Sequence, residues 1–119
     1  MGVLFVEYPK CTTCKKAKAW LDSHGIEYVD RHIVEDNPTA EELATWHRRS
    51  GLPVRRFFNT SGMKYRELGI KAKLDEGMTD EECYELLATD GMLVKRPLVV
   101  GEDLVLIGFK EPAWEEALL

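Results

Sequence analysis

Val3-Leu4-Phe5-Val6-Glu7-Tyr8-Pro9-Lys10-Cys11-Thr12-Thr13-Cys14-Lys15-Lys16-Ala17 is the stretch on which the fold turns. Five of its first six residues are apolar, β-branched or aromatic, which predicts a strand over Val3 to Tyr8 halted by Pro9. From Cys11 to His24 the spacing becomes helical: Cys14, Ala17, Trp20 and Leu21 share one face, and Lys15, Lys16, Lys18, Asp22 and Ser23 lie opposite, with Gly25 as the stop. Ile26 to Ile33 alternates as a second strand. Strand, helix and strand within some thirty residues form a βαβ unit, and the pair Cys11 and Cys14 falls at the turn between its strand and its helix.

Working outward, Asn37-Pro38-Thr39 reads as a helix start. Thr39 and Glu42 form a capping box, and Leu43 and Trp46 carry an apolar face that runs to Gly51. Pro53 opens a short helix through Arg55, Arg56 and Phe57, followed by the loop Asn59-Thr60-Ser61-Gly62. A weaker helical stretch covers Tyr65 to Asp75. Thr79 and Glu82 repeat the capping box before a helix that turns Cys83, Leu86 and Leu87 inward. Leu98-Val99-Val100 and Leu104-Val105-Leu106-Ile107 then flank the turn Gly101-Glu102-Asp103 as a hairpin. Pro112 sits in the first turn of a closing helix through Trp114 and Leu118. The order is that of a thioredoxin-like α/β fold. It predicts a four-stranded mixed sheet with a helical insert, at about 38–90, between the second and third strands. The expected organisation is a single domain over residues 1–119.

Composition narrows the function. The chain has 119 residues, 45% of them hydrophobic and 31% charged, with a formal net charge of −5. An acidic domain lacks the basic footprint of one whose business is gripping phosphate backbones, so direct nucleic-acid binding is not expected. The apolar run at Val3 is cut by Glu7, too soon for a signal-peptide core or a membrane span. Three cysteines make no secreted disulfide framework, so a cytoplasmic protein that uses its thiols for chemistry is expected.

That chemistry centres on Cys11-Thr12-Thr13-Cys14. Disulfide exchange requires a thiolate, and a helix N-terminus stabilises one through unpaired N–H groups and the macrodipole. Lys10, Lys15, Lys16 and Lys18 add positive charge. Cys14, one turn on, can resolve a mixed disulfide formed at Cys11. Two other readings stay open. Cys14 can be a small buried residue that leaves Cys11 to act alone. The pair can also be half of a zinc site with His24, His32 or His47, although no second Cys-x-x-Cys or spaced His pair completes it. Cys83, beside Leu86 and Leu87, reads as core. Lys95-Arg96-Pro97 stands at the start of the third strand, beside the dithiol in such a sheet. A cis Arg96–Pro97 bond is expected there, with Arg96 as the cation facing the site.

Three segments together resemble the arsenate reductase-like (ArsC/Spx/MgsR) family: Tyr8-Pro9-Lys10-Cys11-Thr12-Thr13-Cys14-Lys15-Lys16-Ala17, Tyr65-Arg66-Glu67-Leu68-Gly69 and Lys95-Arg96-Pro97-Leu98-Val99-Val100. The resemblance runs over nearly the whole chain. It implies a catalytic Cys11 and an active-site Arg96 beside a cis-proline. Thr12, Thr13, Lys15, Pro97 and Asn59 would contact substrate. It implies an arsenate-reductase-like thiol–disulfide oxidoreductase with no bound cofactor or metal, drawing electrons from glutathione and glutaredoxin or from thioredoxin. Its substrate would be a small thiol, a protein disulfide or an oxyanion. The glutaredoxin-linked arsenate reductases carry two further arginines where this chain holds Asn59 and Gly108, and they lack a counterpart of Cys14. The Cys-x-x-Cys form and the step Gly108-Phe109 look more like the Spx branch, which implies the alternative of a redox-switched regulator binding the C-terminal domain of the RNA polymerase α subunit.

Overall fold

A computed structural model describes residues 2–119. Strand β1 (Val3–Glu7) and helix α1 (Thr12–Ser23) are followed by β2 (Tyr28–His32), and the parallel pairing of β1 with β2 makes the βαβ unit. Strands β3 (Leu98–Val100) and β4 (Val105–Ile107) form an antiparallel hairpin, closed by the Gly101 N–H donating to the Leu104 carbonyl at 2.9 Å. β3 pairs antiparallel with β1, giving the mixed order β2-β1-β3-β4. Strand β3 matches its apolar run, and the other three are shorter than theirs. Ile26 and Ile33 lie outside β2, Leu104 outside β4 and Tyr8 outside β1, because hydrophobic alternation continues past the last ladder hydrogen bond.

Two compact units result. One is built from the chain up to His32 and again from Arg96 to Leu119; the other runs from Ile33 to Lys95. In the sheet unit, Phe5 and Val99 face the same side as Ala17, Trp20 and Leu21 of α1. Trp114 of the closing helix α6 (Glu111–Leu118) joins them, its indole N–H donating to the Gly108 carbonyl at 3.0 Å. Trp20, Phe109 and Trp114 meet edge to face, with centroids 4.8–6.3 Å apart. That geometry aligns the electropositive ring edges with electron-rich faces.

The inserted unit contains α2 (Ala40–Ser50), α3 (Met63–Glu67), α4 (Ile70–Asp75) and α5 (Asp80–Leu87). Both expected capping boxes are present, at Thr39/Glu42 and Thr79/Glu82. The stretch Tyr65–Asp75 is two helices rather than one: Gly69 adopts φ +60° between them, a conformation that breaks the helical ladder and suits glycine. Single-turn 3₁₀ segments occur at Val54–Phe57, as expected from Pro53, and at Gly91–Leu93, where no helix was anticipated. Gly91 is there for space, since a Cβ would lie 2.0 Å from the Ile33 carbonyl oxygen.

Candidate active site

The end of β1 delivers the chain to the dithiol. Cys11 donates its N–H to the Tyr8 carbonyl at 2.9 Å and accepts the first helical bond from Lys15 at 3.0 Å. It is therefore the N-cap of α1, in extended conformation, and the helix begins at Thr12, one residue after the expected start at Cys11. An N-cap side chain lies where the unpaired N–H groups of the first turn converge. A sulfur in that place is well situated to be an anion.

The electrostatics agree. Partial burial opposes ionisation of Cys11, but the Cys14 backbone N–H, the Cys14 thiol and the Arg96 guanidinium outweigh it and hold the Cys11 pKa below the usual thiol value. Cys14 behaves oppositely. It is fully buried, and burial, with the negative charges of Cys11 and Glu7, pushes its thiol up to about 12. One thiol is thus half-exposed and inclined to ionise, and its neighbour is enclosed and inclined to keep its proton. The two are in mutual contact, which favours a nucleophile with a resolving partner over Cys14 as inert packing.

Arg96 joins Pro97 through a cis bond, as expected. Its guanidinium carbon lies 5.2 Å from the centroid of the Tyr8 ring, a cation–π arrangement, and the Tyr8 and His32 rings meet edge to face with centroids 5.7 Å apart. Arg96 Nε and Nη1 are buried and make no hydrogen bond among the described residues. Buried N–H donors on a guanidinium are costly to leave unpaired, so the pair is a prepared place for an acceptor.

The remaining candidates divide. Thr12, Thr13 and Lys15 are exposed in the first turn of α1, and Pro97 is buried at the entry to β3. Asn59 belongs to the inserted unit. There its N–H donates to the Leu93 carbonyl at 2.8 Å and its side-chain amide approaches the Met92 carbonyl at 3.5 Å. Of the four lysines expected to favour a thiolate, Lys18 is engaged by Asp30 at 3.1 Å; the charge that acts on Cys11 is that of Arg96. Cys83 is fully buried on α5, its thiol pushed up to about 11 chiefly by burial, in keeping with a core residue.

His24 packs against Trp20 and bonds its carbonyl at 2.9 Å, and His47 bonds Tyr84. Among the described residues no group of three His, Cys, Asp or Glu is placed to hold a metal, and no helix is long and apolar enough to cross a membrane.

Two residues of the site escape sequence reasoning. Tyr8 reads as the end of a strand, yet it is the platform for Arg96. Glu7 reads as the charge that ends an apolar run, yet it is the last residue of β1 and the one buried charged side chain among the described residues. The signal for it is its place two residues after Phe5, an inward position of the strand where a charge is out of character.

A four-stranded mixed sheet, a Cys-x-x-Cys at the mouth of its first helix and a cis-proline entering β3 define a thioredoxin-like protein. Within that class the chain belongs to the ArsC family, whose model matches residues 6–117. A solved structure of an ArsC family related protein from Bacteroides fragilis superposes with a TM-score of 0.93 at 59% identity, covering 98% of this chain and 97% of that one. The uncharacterized protein YusI of Bacillus subtilis is 53% identical, with 98% of each chain covered. The regulatory protein MgsR of the same organism is 33% identical over 88% of this chain and 81% of its own.

Proposed function

We propose that this chain is a thiol–disulfide oxidoreductase of the ArsC family that works through Cys11 and Cys14 in a reducing, cytoplasmic setting. The observation that carries the reading is the contrast between the two sulfurs. A half-exposed Cys11 is disposed to ionise beside the unpartnered N–H groups of Arg96, and a buried Cys14 is held against it as a thiol.

The Cys11 thiolate attacks a substrate disulfide, forming a mixed disulfide and releasing one substrate thiolate. Cys14 then loses its proton and attacks the Cys11 sulfur, releasing the second thiolate and leaving a Cys11–Cys14 disulfide. A glutathione/glutaredoxin or thioredoxin couple returns both sulfurs to the reduced state. Arg96 would hold an anionic group, such as a glutathione carboxylate or an oxyanion, next to Cys11.

Disulfides fit better than arsenate. The two positions where arsenate reductases carry extra arginines hold Asn59, whose amide points at the Met92 carbonyl, and Gly108, which has no side chain and donates its N–H to the Pro97 carbonyl at 2.8 Å. A doubly charged oxyanion would depend on the single cation Arg96.

A coupled assay following NADPH consumption tests the proposal. We expect wild-type protein to reduce a glutathione mixed disulfide faster than arsenate, Cys11→Ser to be inactive, and Cys14→Ser to accumulate the mixed disulfide. An ordinary pKa at Cys11, with no turnover of any disulfide or oxyanion, would overturn it. The similarity to MgsR favours a second reading, a redox-switched regulator contacting the RNA polymerase α C-terminal domain. Binding to that domain that changes on Cys11–Cys14 oxidation would establish it, and no binding in either redox state would remove it.

A further inference from the structure

The exposed charges of the sheet unit are sorted along its strands. Val6 of β1, Leu98 of β3 and Ile107 of β4 lie level in the ladders. The turn carrying Cys11, the Arg96–Pro97 step and the segment Gly108-Phe109-Lys110 therefore all leave the sheet at one end. Helices α1 and α6 begin at that end and run back over the sheet. Exposed there are Lys10, Lys15, Lys16 and Lys110, and Arg96 adds its guanidinium. None of these four lysines makes an ion pair among the described residues. Glu111, beside Lys110, is the exposed carboxylate at this end. Lys18, midway along α1, is paired with Asp30 at 3.1 Å. The far end is acidic: Asp22 in the last turn of α1, Glu27 before β2, Glu102 and Asp103 in the hairpin turn, and Glu115 and Glu116 on α6 are all exposed.

Sorting of this kind crowds like charges together, and nothing in the packing of the sheet unit requires it. Its effect is a field. The first turns of α1 and α6 reinforce the positive end, because each presents unpaired N–H groups and the positive pole of its dipole there. A chain with net charge −5 repels anions as a whole, whereas the sorted charges make the face that carries the reactive sulfur attract them. One small anion at the buried N–H groups of Arg96 leaves the exposed lysines unused. A ligand with several negative charges spread along it engages them together.

Resting on the proposed dithiol chemistry, we propose that the substrate is a polypeptide disulfide set in an acidic segment, which Lys10, Lys15, Lys16 and Lys110 steer onto Cys11. The Cys11 thiolate bonds the sulfur of that segment, the substrate S–S bond breaks, and the electron pair leaves on the other sulfur as a thiolate. Cys14 gives its proton to solvent and bonds Cys11 Sγ, and the acidic segment departs as the second thiolate. The substrate disulfide is reduced by two electrons and the Cys11–Cys14 pair is oxidised by two.

Three peptides that differ only in the residues flanking a single cysteine, glutamates, alanines or lysines, test the proposal. Each carries its cysteine as the mixed disulfide with thionitrobenzoate, so the leaving group is constant and its release is followed by stopped flow. Dividing each rate by that of the same peptide with mercaptoethanol removes differences in intrinsic reactivity. At about 20 mM salt, where screening is weak, we expect the glutamate peptide to react roughly tenfold faster than the alanine peptide and the lysine peptide to react slowest. At about 0.5 M salt the spread should close. Lys16→Glu combined with Lys110→Glu should abolish the preference. Glu115→Lys combined with Glu116→Lys alters the net charge equally in the opposite sense, but at the far end, and should leave the preference within about twofold, since charges there lie beyond effective range. Equal normalised rates for the three peptides at low salt would overturn the inference and leave the dithiol reading standing. So would a far-end pair that raises the preference as much as the near-end pair lowers it, because net charge alone would then suffice. Absence of release with every peptide in wild type would overturn both. Should the near-end double variant fail to fold, Lys16→Glu alone and the wild-type salt series decide, a preference indifferent to both counting against the docking role.

Discussion

The reactivity of Cys11 is an outcome of a few atoms. Its sulfur is half-buried, which by itself would raise its pKa, and the Cys14 donors and Arg96 reverse the sign. Arg96 is the removable part of that balance. Arg96→Gln keeps a planar donor group but removes the charge, so the midpoint for alkylation of Cys11 by iodoacetamide should move up by about one pH unit, or tenfold in thiolate fraction at neutral pH. An unchanged midpoint would mean that the helix N-terminus alone sets the thiolate. His32 and Tyr8 position Arg96 through ring contacts that depend on β1 and β2 standing side by side. Spacing along the chain gives no hint of them.

The helices of the insert are short, five to eleven residues, and short helices are marginal without end effects. This is where the capping boxes matter. Thr79 accepts from the Glu82 N–H at 3.2 Å while the Glu82 carboxylate accepts from the Thr79 N–H at 2.9 Å, and Asp80 and Glu81 add negative charge to the same end. Thr79→Ala should therefore cost about 1 kcal/mol in urea unfolding, and Thr79→Ser little. The exposed pairs Arg55–Asp75 and Lys71–Asp75 belong to a different class, solvated pairs that water and salt screen and that contribute little to stability. The capped helices were legible here because caps act through the backbone of their own neighbours. The break at Gly69 is nonetheless visible only in three dimensions, since a glycine inside a helical pattern can also be tolerated.

At the scale of the whole molecule, Glu7 links protonation to stability. Its carboxyl is pushed up from the ordinary 4.5 to about 7 in the folded protein. The folded state therefore binds its proton more tightly than the unfolded chain does. The stabilising contribution is present below the ordinary carboxyl pKa and is lost as pH rises through about 7. Glu7→Gln should be more stable than wild type in urea at pH 8.5, with the advantage shrinking as pH falls to 5; an advantage independent of pH would contradict the linkage. The sequence by itself determined everything that rests on local periodicity and backbone chemistry: the βαβ opening, the caps, the hairpin, the Cys-x-x-Cys at a helix start and the proline at the entry to β3. These are legible because the interacting groups lie within a few residues of one another. Tertiary structure decided how the charges reach the sulfurs, Arg96 among them as the fold order led one to expect, and that Glu7 is one of them. Arg96 reaches Cys11 because β3 enters the sheet beside β1. Glu7 is buried rather than solvated because α1 covers that face, and it meets Asp30 because β2 pairs with β1. Electrostatic energy depends on distance and on the exclusion of water, and both are properties of the packed fold.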